Sequence, residues 1–238
     1  MPTSSVIKSQ VRRLLRSPDL AFAPGDWPAE LEGLEVKPLL RALISGLSAP
    51  GEDERWRAVG LLGILAGRLA GGDLDILREV LRRLMWGLNE ESGAILWAAP
   101  QAMGEILHQA PALASEFGRI LCSYLDEGAN FLEHPPLQAG VAWAMGRLAL
   151  AAPEVVGPAG GADLLPPLLP SPLASARGCA AWALGIVAPA GDSRALTALA
   201  SLSHDQAELL LLLEGRLSKA SVGQLARQSL AHLRKPIG

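Results

Sequence analysis

The sequence predicts an all-α fold, a right-handed α-α superhelix of about four two-helix repeats with a cap at each end. Three observations predict it. The 238 residues are 50% hydrophobic but only 4% aromatic, with a single Tyr; an apolar fraction dominated by Ala and Leu suits close-packed helices, whereas strands favour aromatic and β-branched residues. One phrase recurs with small changes, as "WRAVGLLGILAG", "WAAPQAMGEIL", "GVAWAMGRLAL" and "CAAWALGIVAP". The glycine within each phrase (Gly63, Gly104, Gly146, Gly185) returns at intervals of 41, 42 and 39 residues, the period of stacked helix pairs.

Taken in order, residues 1–35 read as an N-terminal cap. In "SSVIKSQVRRLLR", Ile7, Val11, Leu14 and Leu15 fall on one helical face while Lys8, Arg12 and Arg16 fall on another. Pro18, Pro24 and Pro28 make 17–35 a loop, in which Trp27 is the natural plug for the first turn of the superhelix. Residues 36–203 hold the repeats. Their first helices are expected at "VKPLLRALISGL" from Val36, "DLDILREVLRRLMWGL" from Asp73, "PALASEFGRILCSYL" from Pro111 and a short "ADLLPPLL" from Ala162, where Pro166, Pro167 and Pro170 forbid a long regular helix. The recurring phrases are the second helices. Residues 204–238 form a C-terminal cap. Five consecutive leucines in "AELLLLLEGRLSKA" would surround a terminal helix on all sides, which favours a small hairpin turning at Glu214-Gly215, although Asp205 and Glu208 could instead cap a helix. Ser221, with Gln224 three residues later, then opens a closing helix. The whole chain is expected to be one domain.

The segments "AAWALGIVAP" and "AGVAWAMGRLA" resemble the second helix of HEAT-like repeats, including those of phycobilisome-lyase-type subunits, and "RRLMWGLNEESGAILWAAPQAMGEIL" resembles an uncharacterised bacterial family of HEAT-like proteins. The resemblance spans roughly residues 36–200 and implies a HEAT or armadillo-type solenoid. It implies no activity beyond an accessory role beside a cofactor or chromophore lyase.

Counted from each glycine, offsets −5, −2, −1 and +2 share a face that is apolar in all four units, such as Val141, Ala144, Met145 and Leu148 in the third. Offsets −7, −3, 0, +1 and +4 share another, which carries Trp97, Gln101, Glu105 and His108 in the second unit, Trp143 and Arg147 in the third and Trp182 in the fourth. Second helices line the concave side of such stacks. Trp97, Gln101, Glu105, Trp143, Arg147 and Trp182 are therefore the candidate binding stripe, unless the tryptophans fill gaps between units. Glu105 and Arg147 share an offset in adjacent units and should lie side by side. The loop Asn89–Ala94, with Glu90 and Glu91, reads as ordinary helix-start chemistry or a polar contact loop.

No catalytic or metal set stands out. Glu105 and His108 form a single E-x-x-H, whereas a di-iron bundle needs two and further carboxylates. The four His are scattered, and there is no C-x-x-C and no phosphate-binding G-x-x-x-x-G-K-[ST]. Cys122 and Cys179 sit in apolar contexts as small hydrophobes of a reducing compartment, which points to a cytoplasmic protein. A net charge of −3 argues against nucleic acid unless Arg12, Arg13, Arg16, Arg82 and Arg83 cluster, and no apolar window is long enough for a membrane span. The expected function is a non-catalytic scaffold, without cofactor, that holds a protein or peptide partner on the concave face.

Overall fold

The computed structural model describes residues 2–22, 26–88 and 95–235. After an N-terminal helix α1 (Ser4–Leu15) come α2 (Val36–Gly46) with α3 (Glu52–Leu69), α4 (Leu74–Leu88) with α5 (Ala99–Gln109), and α6 (Ala114–Ser123) with α7 (Pro135–Ala149). The fourth unit has two short helices, α8 (Pro153–Val156) and α9 (Gly161–Leu164), and a 3-10 turn at Pro166–Leu168, followed by α10 (Ala174–Val187). The prolines keep its first half from forming one regular helix. A last segment holds α11 (Ser193–Ser201), strands β1 (Glu208–Leu213) and β2 (Arg216–Ser221), and α12 (Val222–Leu233). This is an all-α repeat solenoid with one two-stranded ribbon. No described helix is long and apolar enough to cross a membrane.

The second helices α3, α5, α7, α10 and α12 pack each on the next, and the glycines that define the repeat permit it. A Cβ on Gly104 would stand 2.5 Å from the Ala144 backbone, and one on Gly146 would stand 3.1 Å from the Ala183 Cα and 2.5 Å from the Trp182 ring. Gly185 is closed in the same way by Ser229 of α12, whose hydroxyl donates to the Ala181 carbonyl (2.8 Å), so α12 continues the row as a fifth rung. The face at offsets −5, −2, −1 and +2 is buried except at Val187, which is half-buried; Ala58, Ala102, Met145 and Ala183 are fully enclosed. First helices meet their neighbours far less closely, which leaves a hollow between α2 and α4. A tight inner layer and a splayed outer layer make the second-helix side concave.

The caps are tied in by specific bonds. Ile7, Val11, Leu14 and Leu15 bury the inner face of α1, and the enclosed Arg57 of α3 donates to the Leu15 carbonyl (2.8 Å) and to Asp53 (2.7 Å). The plug at the first turn is Phe22, 5% exposed, with its ring over Gly60. Trp27 packs on the core only partly, half-buried beneath the Arg68 guanidinium, 5.1 Å from its ring, so the deeper plug is an aromatic the sequence did not single out. Phe22 fits because Gly60 leaves its ring a seat.

At the other end the leucine run is a strand. Glu214 and Gly215 both adopt positive φ (48° and 72°) between Leu213 and Arg216, the two-residue turn whose twist suits a hairpin. Ser221 caps α12 by accepting from the Gln224 N–H (3.1 Å). Arg177 of α10 anchors the approach to the ribbon through Asp205 (2.7 Å), and that bond holds the Asp205 carboxyl below its ordinary range. Leu209, Leu211 and Leu212 are buried and Leu210 and Leu213 half-buried, so both faces of β1 are covered, as an unbroken apolar run requires.

Candidate binding surface

What covers β1 is the concave layer itself. Its Leu209 side chain lies over Gly178 of α10, β1 also packs on α3, and at the ribbon's tip the Gly215 carbonyl accepts from Phe22 N–H (3.0 Å). Val222 N–H donates to the Ala207 carbonyl (2.9 Å), which in this register turns the backbone groups of Leu210 and Leu212 away from β2. The Leu212 carbonyl there accepts the indole N–H of Trp143 at 3.1 Å. The C-terminal ribbon thus straps the concave face from the last units back to the first.

Residue size along the repeat explains its path. Offset −7 reads Trp56, Trp97, Ala139, Gly178, and offset −3 reads Gly60, Gln101, Trp143, Trp182. Where these rows shrink to glycine, Leu209 and Phe22 dock; where they carry tryptophan, the aromatics wall the space. Among the described residues, two of the clefts border the ribbon. The first, about 330 Å³, is bounded by Trp56, Trp97, Gln101, Ala139, Cys179 and Leu210. The second, about 730 Å³, is bounded by Arg147, Trp182, Leu213, Arg216, Lys219 and Gln224.

The predicted stripe is divided accordingly. Trp97 is 36% exposed, with its ring edge-on to His134 at 6.0 Å, and enters the first cleft beside Gln101. The Gln101 Oε1 is enclosed over Gly140 and has no hydrogen-bond donor among the described residues. Arg147 and Trp182 enter the second cleft. Trp143 is not on an open surface: it is 0% exposed, lying beneath β1 with Trp56 edge-on at 4.9 Å and Trp182 stacked at 6.2 Å. Glu105 is also enclosed, in a two-point pair with Arg147 (2.7 and 2.9 Å), and accepts from Gln109 (3.1 Å). This is the side-by-side placement their common offset requires. Its Cγ fills the gap over Gly63.

The E-x-x-H pair is absorbed by the same network. His108 Nδ1 lies 3.0 Å from the Arg147 carbonyl, and burial first, then the Arg147 charge, lowers its pKa. Among the described residues no group of three or more His, Cys, Asp or Glu converges. Burial pushes the Cys122 and Cys179 thiols up to about 12, so neither is a thiolate near neutrality. The loop Asn89–Ala94 lies outside the described residues. Sequence reasoning missed Trp56, which shares the Trp97 offset, and Leu210 and Leu212. The signal was present, because an all-leucine strand has to dock on a large apolar surface and the tryptophan rows are the largest available.

A scan of protein-family models finds no match for the chain, and a search of curated proteins finds none. Solved structures do match. One engineered protein, Northeast Structural Genomics Consortium target OR329, is 19% identical and aligns over 98% of this chain and 92% of its own with a TM-score of 0.59. The designed armadillo repeat protein YIII(Dq)4CqI is 19% identical over 98% and 96%, with a TM-score of 0.54. A third, designed armadillo repeat protein YIII(Dq.V1)4CPAF in complex with the peptide (KR)4, is 17% identical over 94% and 98%, with a TM-score of 0.53. At these identities the likeness is one of fold, and the chain has the armadillo-type helical-repeat architecture.

Proposed function

We propose that the protein is a cytoplasmic binding scaffold that holds an extended segment of a protein partner on its concave face, in the cleft walled by Trp56 and Trp97. The observation that carries this reading is the bond from Trp143 to the Leu212 carbonyl: the concave face already grips an extended chain by its backbone, and that chain is its own. Beside it lies the first cleft. The half-exposed Trp97 supplies an apolar wall, and the Gln101 side chain lines the cleft beside it with its Oε1 turned in over Gly140. Large aromatics of this kind dominate binding energy when a partner desolvates them. A similarly folded designed protein was solved with a peptide bound, which supports a peptide as the kind of ligand. The cytoplasmic setting rests on two free, buried thiols. The accessory role beside a lyase rests on resemblance alone.

Selection of random displayed peptides on the immobilised full chain tests the reading. Enriched peptides should lose about 10- to 30-fold in affinity on Trp97→Ala, the scale of a hot spot. Trp97 is too exposed for its truncation to unfold the protein, and an unchanged melting curve would show this. Failure to enrich any sequence, or binding indifferent to Trp97→Ala and Gln101→Ala, would refute the cleft as the site.

A further inference from the structure

A second surface lies on the opposite, outer layer. The splay of the first helices leaves three adjoining hollows of about 330, 300 and 220 Å³ running from the α1–α2 junction to the α2–α4 junction. Their rims carry Lys8 and Arg12 from α1 and Arg16 just after it, Lys37 and Arg41 from α2, and Arg83 from α4. The hollows are continuous, because Lys8 borders the first two and Arg41 and Arg83 border the last two. Of the residues singled out in the sequence as a conditional basic cluster, Arg12 and Arg16 line one end of the furrow and Arg83 the other, whereas Arg13 and Arg82 do not line it.

The charge there is unbalanced. Two carboxylates line the furrow, Glu54, which is 3.6 Å from Arg16, and Glu79. Among the described residues no ion pair engages Lys8, Arg12, Lys37, Arg41 or Arg83. The next outer-layer junction is built differently: Arg78 of α4 forks onto Glu116 of α6 at 2.7 to 3.1 Å and also binds Asp75. Opposite charges bridge α4 to α6, but like charges face each other across α2 and α4. A chain whose net charge is −3 has concentrated cations where they repel one another, an arrangement an anion would relieve.

We propose that this furrow is a second binding site, for an acidic amphipathic segment of a partner protein. The floor decides between anions. Leu40, Ile44, Ile76 and Val80 lie between the cationic rims of the third hollow, so the matching ligand carries apolar groups as well as negative ones, as an acidic amphipathic helix does and a phosphate backbone does not. The spacing agrees: Lys8, Arg12 and Arg16 recur at i, i+4, i+8, about 6 Å apart along α1, the same interval at which carboxylates recur on one face of a helix laid beside it. The two remaining carboxylates and the acidic rest of the chain disfavour a long polyanion by the same electrostatics. The site is independent of the concave clefts.

The probe is a fluorescein-labelled peptide of about 16 residues with Glu and Leu on opposite helical faces, titrated with the full chain by anisotropy. Its binding should weaken as salt rises and fall about tenfold or more on Arg41→Glu with Arg83→Glu, a pair of exposed positions at which reversal replaces attraction by repulsion. Lys8→Glu with Arg12→Glu should act alike, and Trp97→Ala should change nothing, which separates this site from the peptide cleft. Absence of peptide binding, equal binding of a Gln-for-Glu peptide, equal binding by the reversal variants, or preference for a single-stranded oligonucleotide over the peptide would each overturn the proposal.

Discussion

Trp143→Ala is expected to lower folding stability by about 3–5 kcal/mol, the cost of truncating a large aromatic in a packed core. The side chain is fully enclosed and lies between Trp56 at 4.9 Å and Trp182 at 6.2 Å, two neighbours from other units that have no means of closing the void. The loss has a second part. Trp143 is the donor to the Leu212 carbonyl, and an enclosed carbonyl without a donor costs about 1–3 kcal/mol. Trp143→Phe keeps a six-membered ring but deletes the N–H together with the rest of the five-membered ring, so its loss should be smaller than that of Trp143→Ala while still including the stranded carbonyl. Denaturant midpoints of the two variants check this. A surface tryptophan would lose within about 0.5 kcal/mol in either variant.

The second large effect is expected at Arg147. Its guanidinium makes both contacts to Glu105, whose side chain is 5% exposed against 13% for Arg147. Arg147→Met leaves the enclosed Glu105 without its cationic partner and, among the described residues, with Gln109 as its remaining side-chain donor, which should cost about 3–5 kcal/mol, because breaking a buried pair removes the compensation and keeps the desolvation penalty. The pair itself contributes less than that figure. Glu105→Gln combined with Arg147→Met should recover most of the loss, because neither remaining side chain is ionised. A double-mutant cycle on urea midpoints measures the coupling; additive losses would show that Glu105 is solvated and that the two second helices are not in the register described.

What could be read in the sequence was what repeats locally. The interval between glycines located α3, α5, α7 and α10 because the same close approach recurs at Gly104, Gly146 and Gly185, and the offsets that placed Met145 in the core also placed Glu105 beside Arg147. The hairpin turn at Glu214-Gly215 was legible in the all-round apolar run before it. Its docking was not, since Trp143 and Leu212 stand 69 residues apart and no periodicity links a non-repeating ribbon to the helices it crosses. For the same reason the offset of Trp143 left open whether it faced the groove or filled a gap between units, and it is the groove's floor under the strap; the seat of Phe22 over Gly60 joins residues 38 positions apart and outside the repeat period. The outer furrow depends on how far α2 and α4 splay, which packing geometry sets and side-chain order alone does not.

Hydrogen exchange of the β1 amides tests most directly whether the concave face is closed by its own ribbon. A free two-stranded hairpin is marginal in water and opens readily. If β1 is docked on Trp143 and Gly178, the amides of Leu209, Leu211 and Leu213 exchange as slowly as those of α7, since releasing them requires undoing the core beneath. Exchange of these amides at the rate of an unstructured loop, with α7 still protected, would show the ribbon detached and the concave face open.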